Sequence, residues 1–144
     1  MPTVHPQLQR ARSLLPLIAA ASDEHDAVRK LTPDSHILAT GYFFHGDYEA
    51  SLNAGKNLVR MRPGIWFGYR HCCAALTELG RIDEARYYAD QLSSRFAGEL
   101  TSFLTVRWGE WREPDYARYT ATLARAGLVL RDGVLLQSVG GAVL

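Results

Sequence analysis

Histidine and cysteine crowd together at one place in this chain, His71-Cys72-Cys73, and both cysteines of the sequence are there. These are ligands that zinc prefers, so a metal centre is the first chemistry to weigh. The spacing opposes it. Consecutive residues on a helix point about 100° apart, so three in a row do not converge on one ion. The expectation is instead a pair of small buried thiols filling a contact between helices. His5, His25, His36 and His45 show no HxH or HxxxH spacing that would recruit a second ligand. None of the serines sits in a G-x-S-x-G elbow, and no glycine-rich loop opens a helix in the pattern that cradles phosphate. Gly140-Gly141 fits no such pattern. Asp23/Glu24 and Asp83/Glu84 fall in first helical turns, where the helix dipole accounts for carboxylates. These residues yield no catalytic set, no metal set and no cofactor site, and the chain is expected not to be an enzyme. A cryptic hydrolase or metal enzyme is a competing reading, which bound metal in the purified protein would reveal.

The elements that carry these residues read as helices separated by short punctuation. Leu8, Ala11, Leu14, Leu15 and Ile18 recur at helical spacing, so residues 5–21 form one helix kinked near Pro16, or two short ones. Ser22-Asp23-Glu24 starts a helix that ends at Leu31, before Pro33. Residues 34–45 form the next, with Ile37, Leu38, Tyr42 and Phe43 inward, and Gly46 makes the turn into a partner helix over Tyr48–Met61, closed by Pro63-Gly64. The cycle repeats: a helix over 65–79, a turn at Gly80, and a helix over 82–95. A shorter helix runs from Glu99 to Trp108. Pro114 opens the last, which ends at Ala126 with Gly127 after it and carries Tyr116, Tyr119, Leu123 and Ala126 as an inward stripe. The fold class is all-α.

Part of this pattern is written twice. Phe44-His45-Gly46-Asp47-Tyr48-Glu49-Ala50-Ser51 aligns with Glu78-Leu79-Gly80-Arg81-Ile82-Asp83-Glu84-Ala85, 34 residues later. At the same offset Leu38 matches Cys72, Ala39 matches Cys73, Tyr42 matches Leu76 and Leu58 matches Leu92. A helix–turn–helix unit of about this period cannot bury its apolar face alone and stacks with its neighbours into an array. With its Gly46 and Gly80 turns, a small residue after each (Ser51, Ala85) and the closing Pro63, the chain resembles the tetratricopeptide (TPR) repeat family. Two units, 34–63 and 66–97, are clear; Ala27 to Pro33 looks like the tail of a degenerate earlier one. Gly55 and Ala89 stand where the family usually has an aromatic, and Ala97 replaces a second closing proline. The stretch from Trp111-Arg112-Glu113-Pro114-Asp115 to Leu128 resembles the terminating segment of repeat modules that follow a nucleotide-cyclase or winged-helix output domain in bacterial signalling proteins. No output domain precedes it in this sequence, so the chain reads either as a stand-alone relative or as a piece of something larger.

The resemblance implies a single domain over 1–128, a right-handed superhelix of antiparallel helix pairs whose first helices line a concave groove. By register that groove holds His36, Thr40, Phe43 and Phe44, then Phe67, Arg70, Thr77 and Glu78. If a third unit keeps the spacing, Leu104, Trp108, Trp111 and Arg112 complete it. Phe43 and Trp111 serve equally well as core, since stacked helices also need large apolar residues. The Lys and Asn with which chaperone-binding relatives grip a C-terminal carboxylate are missing at these positions. Aromatics with Arg at intervals suit instead an amphipathic helix or an extended peptide with apolar anchors and some acidic character. The implied function is a non-enzymatic protein-interaction module, regulatory or scaffolding, in a bacterium. The alternative is a small chaperone that holds an aggregation-prone client segment.

Composition fits that class. At 144 residues the chain is one domain, long enough to bury roughly 70% of its unfolded surface. A formal net charge of +1, with the Arg residues spread along the chain, leaves no electrostatic footprint for nucleic acid. No stretch approaches the roughly 20 apolar residues of a membrane span, and Pro16 interrupts the apolar run from Leu14 to Ala21. With no export signal and no disulfide framework, a cytoplasmic location is expected. The tail, 129–144, is rich in Val and Leu, with a turn signal at Arg131-Asp132-Gly133. It is expected to dock, either by folding back on the last helix or by entering a second copy to make a homodimer.

Overall fold

The computed structural model describes residues 24–105, 113–131 and 134–137. The helix expected over 5–21, and Trp108, Trp111 and Arg112, lie outside the described residues. The chain is mostly helical: α1 (Glu24–His45), α2 (Tyr48–Met61), α3 (Phe67–Glu78), α4 (Ile82–Arg95), α5 (Ala97–Thr105) and α6 (Glu113–Arg125). A two-stranded hairpin follows, β1 (Leu128–Arg131) and β2 (Val134–Gln137). The bounds of α2 and α4 are those the sequence predicts. The break expected at Pro33 is corrected: α1 runs through it without interruption. Proline removes one helical hydrogen bond and crowds the preceding turn, and here the residues beyond it are held by burial of Leu38, Ala39 and Phe43.

The two turns between paired helices have the same construction. Gly46 donates to the Phe43 carbonyl at 3.0 Å and Asp47 to that of Tyr42 at 2.9 Å. One period on, Gly80 donates to Thr77 at 3.1 Å and Arg81 to Leu76 at 2.9 Å. These are the two bonds of a Schellman motif, which needs its glycine left-handed; φ is 93° at Gly46 and 77° at Gly80. The starts of the following helices differ. Asp47 accepts from the Ala50 amide at 3.1 Å, an ordinary N-cap. Arg81 caps nothing with its side chain and forks onto Glu84 instead, at 2.9 and 2.8 Å.

Close packing then locks the pairs together. A Cβ on Gly68 would stand 2.7 Å from the Val59 amide nitrogen, and one on Gly55 would stand 3.0 Å from Cys72 Sγ, so α2 and α3 approach almost backbone to backbone. Ser51 is fully buried and donates to the Ala39 carbonyl at 2.7 Å, tying α2 to α1. Cys72 and Cys73 are free thiols, both fully buried. They face different clusters: Cys72 lies with Leu52, Leu76 and Ala85, Cys73 with Phe43, Tyr69 and Tyr119.

Every residue of α3 from Gly68 to Thr77 is buried. A helix in a simple row of stacked pairs leaves one face to solvent. In this chain α6 covers that face, packing chiefly on α3 rather than repeating the earlier pairs with α5. Gly127, at φ 96°, ends the helical turn and leads into β1. The strands pair antiparallel, Leu128 with Gln137 through Arg131 with Val134. β2 lies against α4 and α5, and β1 against α6, so the described part of the tail folds back on this chain's own helices. The strands are an addition to the all-α expectation.

Candidate functional site

The face of α1 and α3 opposite α2 and α4 is where the sequence places its groove, and α6 lies across it. Tyr119 is the anchor. Its ring is fully buried, 4.8 Å from the Phe43 ring, 6.0 Å from Phe44 and 5.9 Å from Phe103. Its hydroxyl reaches the Arg70 carbonyl and His71 Nδ1, each at 3.4 Å. Burial pushes the phenol up to about 12, so the proton stays on oxygen and the group donates. Leu123 follows one turn later and is also fully buried. Beside them, Thr122 donates to Glu78 Oε1 at 2.6 Å, and Arg125 Nη1 reaches the same oxygen at 2.9 Å. Arg118 lies over the Phe43 ring and donates to the Tyr48 hydroxyl at 2.5 Å. Tyr116 donates to the Phe103 carbonyl at 2.5 Å.

Beneath Tyr119 is a cluster of nitrogen bases. The Arg70 side chain, 3% exposed, has its guanidinium 5.0 Å from the Trp66 ring centre, 4.4 Å from Phe103 and 5.3 Å from Tyr119. Aromatic faces attract a cation in this arrangement. Arg70 Nη2 is 3.3 Å from His71 Nε2, and His36 Nδ1 is 2.7 Å from the same nitrogen. Arginine only donates, so His71 Nε2 accepts; its proton is then on Nδ1, facing Tyr119, and His36 donates from Nδ1. Arg70 and His36 then share the one lone pair of His71 Nε2, and the assignment leaves both imidazoles neutral. Burial, and next the charge on Arg70, lower His36 to about 3, and the same two causes in the same order hold His71 well below its ordinary value. Imidazoles held this way are poor proton carriers near neutral pH, where a general base needs a value close to the working pH. The thiols are no better suited to chemistry. Burial pushes Cys72 up to about 12 and Cys73 higher still, far from the thiolate a nucleophile requires.

The expected groove residues are therefore divided. Thr40, Phe44, Arg70 and Thr77 are buried where the sequence expects an open surface, and Phe43 is buried as its core alternative has it. Thr40 and Thr77 turn their hydroxyls onto their own helix, to His36 and Cys73 carbonyls at 3.0 and 2.7 Å. His36, Phe67, Glu78 and Leu104 are partly buried. His36 and Phe67 stack at 4.7 Å, and Glu78 takes the two contacts from α6. Leu104 packs on the edge of the main core. Nothing local in the sequence connects Tyr119, Thr122 or Arg125 with this face. The inward stripe on α6 was visible, but its destination lies 44 to 49 residues away in the chain. Among the described residues, no three His, Cys, Asp or Glu side chains gather as metal ligands would, and no helix is long and apolar enough to cross a membrane. Compared with known proteins, the chain matches no family model, no curated protein and no solved structure.

Proposed function

We propose that this chain is a non-enzymatic protein-interaction module of the tetratricopeptide type, binding a helix or peptide on the face of α1 and α3. The observation that carries this reading is the recurrence of one unit. Gly46 and Gly80 make the same pair of turn hydrogen bonds, and the helix following each turn closes alike, Arg62 donating to Leu58 at 2.7 Å and Phe96 to Leu92 at 3.1 Å. Stacked helical repeats of this kind are used as extended binding surfaces. The neutral, buried imidazoles and thiols favour the same conclusion, since their surroundings oppose proton transfer and nucleophilic attack. At the partly buried edge of the face, the stacked His36 and Phe67 rings offer an aromatic contact to a partner.

The test is affinity capture from the native cell, followed by titration of the purified partner. The expected result is a saturable complex, formed without consumption of either component and weakened on the order of ten-fold or more by Phe67→Ala, as truncation of an aromatic anchor does. A chain that retains no partner, or that turns over a bound molecule, contradicts the reading.

A further inference from the structure

The contacts of α6 say what kind of partner this face accepts. We propose that the face formed by α1 and α3 is a helix-binding site held in cis by α6, and that its partner in trans is an amphipathic helix with α6's own pattern. That pattern is a tyrosine, a threonine three residues on, a leucine four residues on and a cation six residues on: Tyr119, Thr122, Leu123 and Arg125. The proposal rests on the interaction-module reading and names the partner class.

Leu123 is fully buried in the main core, and the other three elements of the pattern have specific receptors. The tyrosine ring enters the pocket walled by Phe43, Phe44 and Phe103, and its hydroxyl finds the Arg70 carbonyl at 3.4 Å. Threonine and arginine share one carboxylate oxygen of Glu78, at 2.6 and 2.9 Å. Tyr119, Thr122 and Leu123 fall at the i, i+3 and i+4 spacing through which helix-in-groove recognition works. The hold is of a kind that can be exchanged. Pro114, Ala117 and Ala121 of α6 are exposed, and Arg118 and Arg125 reach the platform from exposed positions. The clasp at Glu78 is polar and borders solvent, with Arg125 57% and Glu78 18% exposed. Such half-exposed pairs are weak individually, and an identical set of contacts from another helix would replace them without loss. The tether supplies the advantage of the cis helix. A short connection gives α6 an effective concentration on the order of millimolar, which a free helix must overcome.

The probe is a synthetic fluorescent peptide with the sequence of residues 113–127, titrated into the full chain by anisotropy. Two variants loosen the clasp: Arg125→Glu, which sets like charge against Glu78, and Thr122→Val, which removes one donor at constant volume. The expected result is tighter binding to both variants than to the wild-type chain, by roughly two- to five-fold, as partial release of an intramolecular competitor by loss of a weak contact requires. The same peptide carrying Tyr119→Ala should not bind. Trypsin should cut after Arg118 faster in both variants than in the wild type while circular dichroism remains helical. Equal or undetectable peptide binding across the three proteins overturns the proposal, and so does unchanged cleavage at Arg118. A partner captured from the cell that binds the wild type and Thr122→Val alike, and is not displaced by the peptide, would place the module's working surface elsewhere. That outcome overturns this site and leaves the module reading standing.

Discussion

Buried histidines make the clearest statement at the scale of single residues. His36 is lowered to about 3 from an ordinary value of 6.5, and His71 shifts the same way. The unfolded chain therefore binds more protons than the folded one between those values, and stability rises with pH across that window. The contribution is fully present above about 6.5 and is lost as pH falls towards 3. Melting temperature measured at pH 7 and pH 5 should drop for the wild type. It should drop less for His36→Gln, which keeps a polar side chain but has no proton to gain. A second test separates core from surface. Phe44, 7% exposed, packs edge-on to Phe43 at 5.4 Å, so Phe44→Ala should cost about 3–5 kcal/mol in urea unfolding. Phe67→Ala, at a partly buried position, should cost distinctly less. The sequence reading places both phenylalanines on one groove because both belong to the first helix of a repeat unit. What distinguishes them is the helix lying over Phe44, which no local pattern announces.

Elements repeat here because their turns repeat. Gly46 and Gly80 were legible in the sequence for a physical reason: a Schellman turn is closed by bonds spanning five residues, and only glycine takes its left-handed φ without strain. The bounds of α2 and α4 were legible on the same grounds. Pro33 was misleading, because a local rule about helix ends was outweighed by the packing of the residues after it. Two other glycines serve packing rather than turns, and they can be told apart by substitution. Gly68→Ala drives a methyl group to 2.7 Å from the Val59 backbone nitrogen and should destabilise the chain by about 1–3 kcal/mol. Gly98, near the start of α5, has nothing within 4 Å of an added Cβ. Gly98→Ala should be neutral or stabilise by about 0.4–1 kcal/mol, through the unfolded chain. Chemical denaturation of the two variants checks both signs.

For the whole molecule, the organising fact is that two helix pairs form a platform and the C-terminal part folds back over it. The platform is built from contacts near in sequence, and the sequence states its periodicity openly. The return of α6 depends on contacts such as Tyr119 to Arg70, 49 residues apart. An apolar stripe reveals that α6 must bury one face but not which face receives it. If α6 is an occupant of the platform rather than a permanent part of its core, it should open on its own. Native-state hydrogen exchange of the intact wild-type chain, read amide by amide, measures this directly. The expected result is that the amides of α6 exchange through openings of distinctly lower free energy than those of α2, α3 and α4. Exchange of α6 only through global unfolding, at the same free energy as α3, would contradict the claim that this face is a site held by a separable helix.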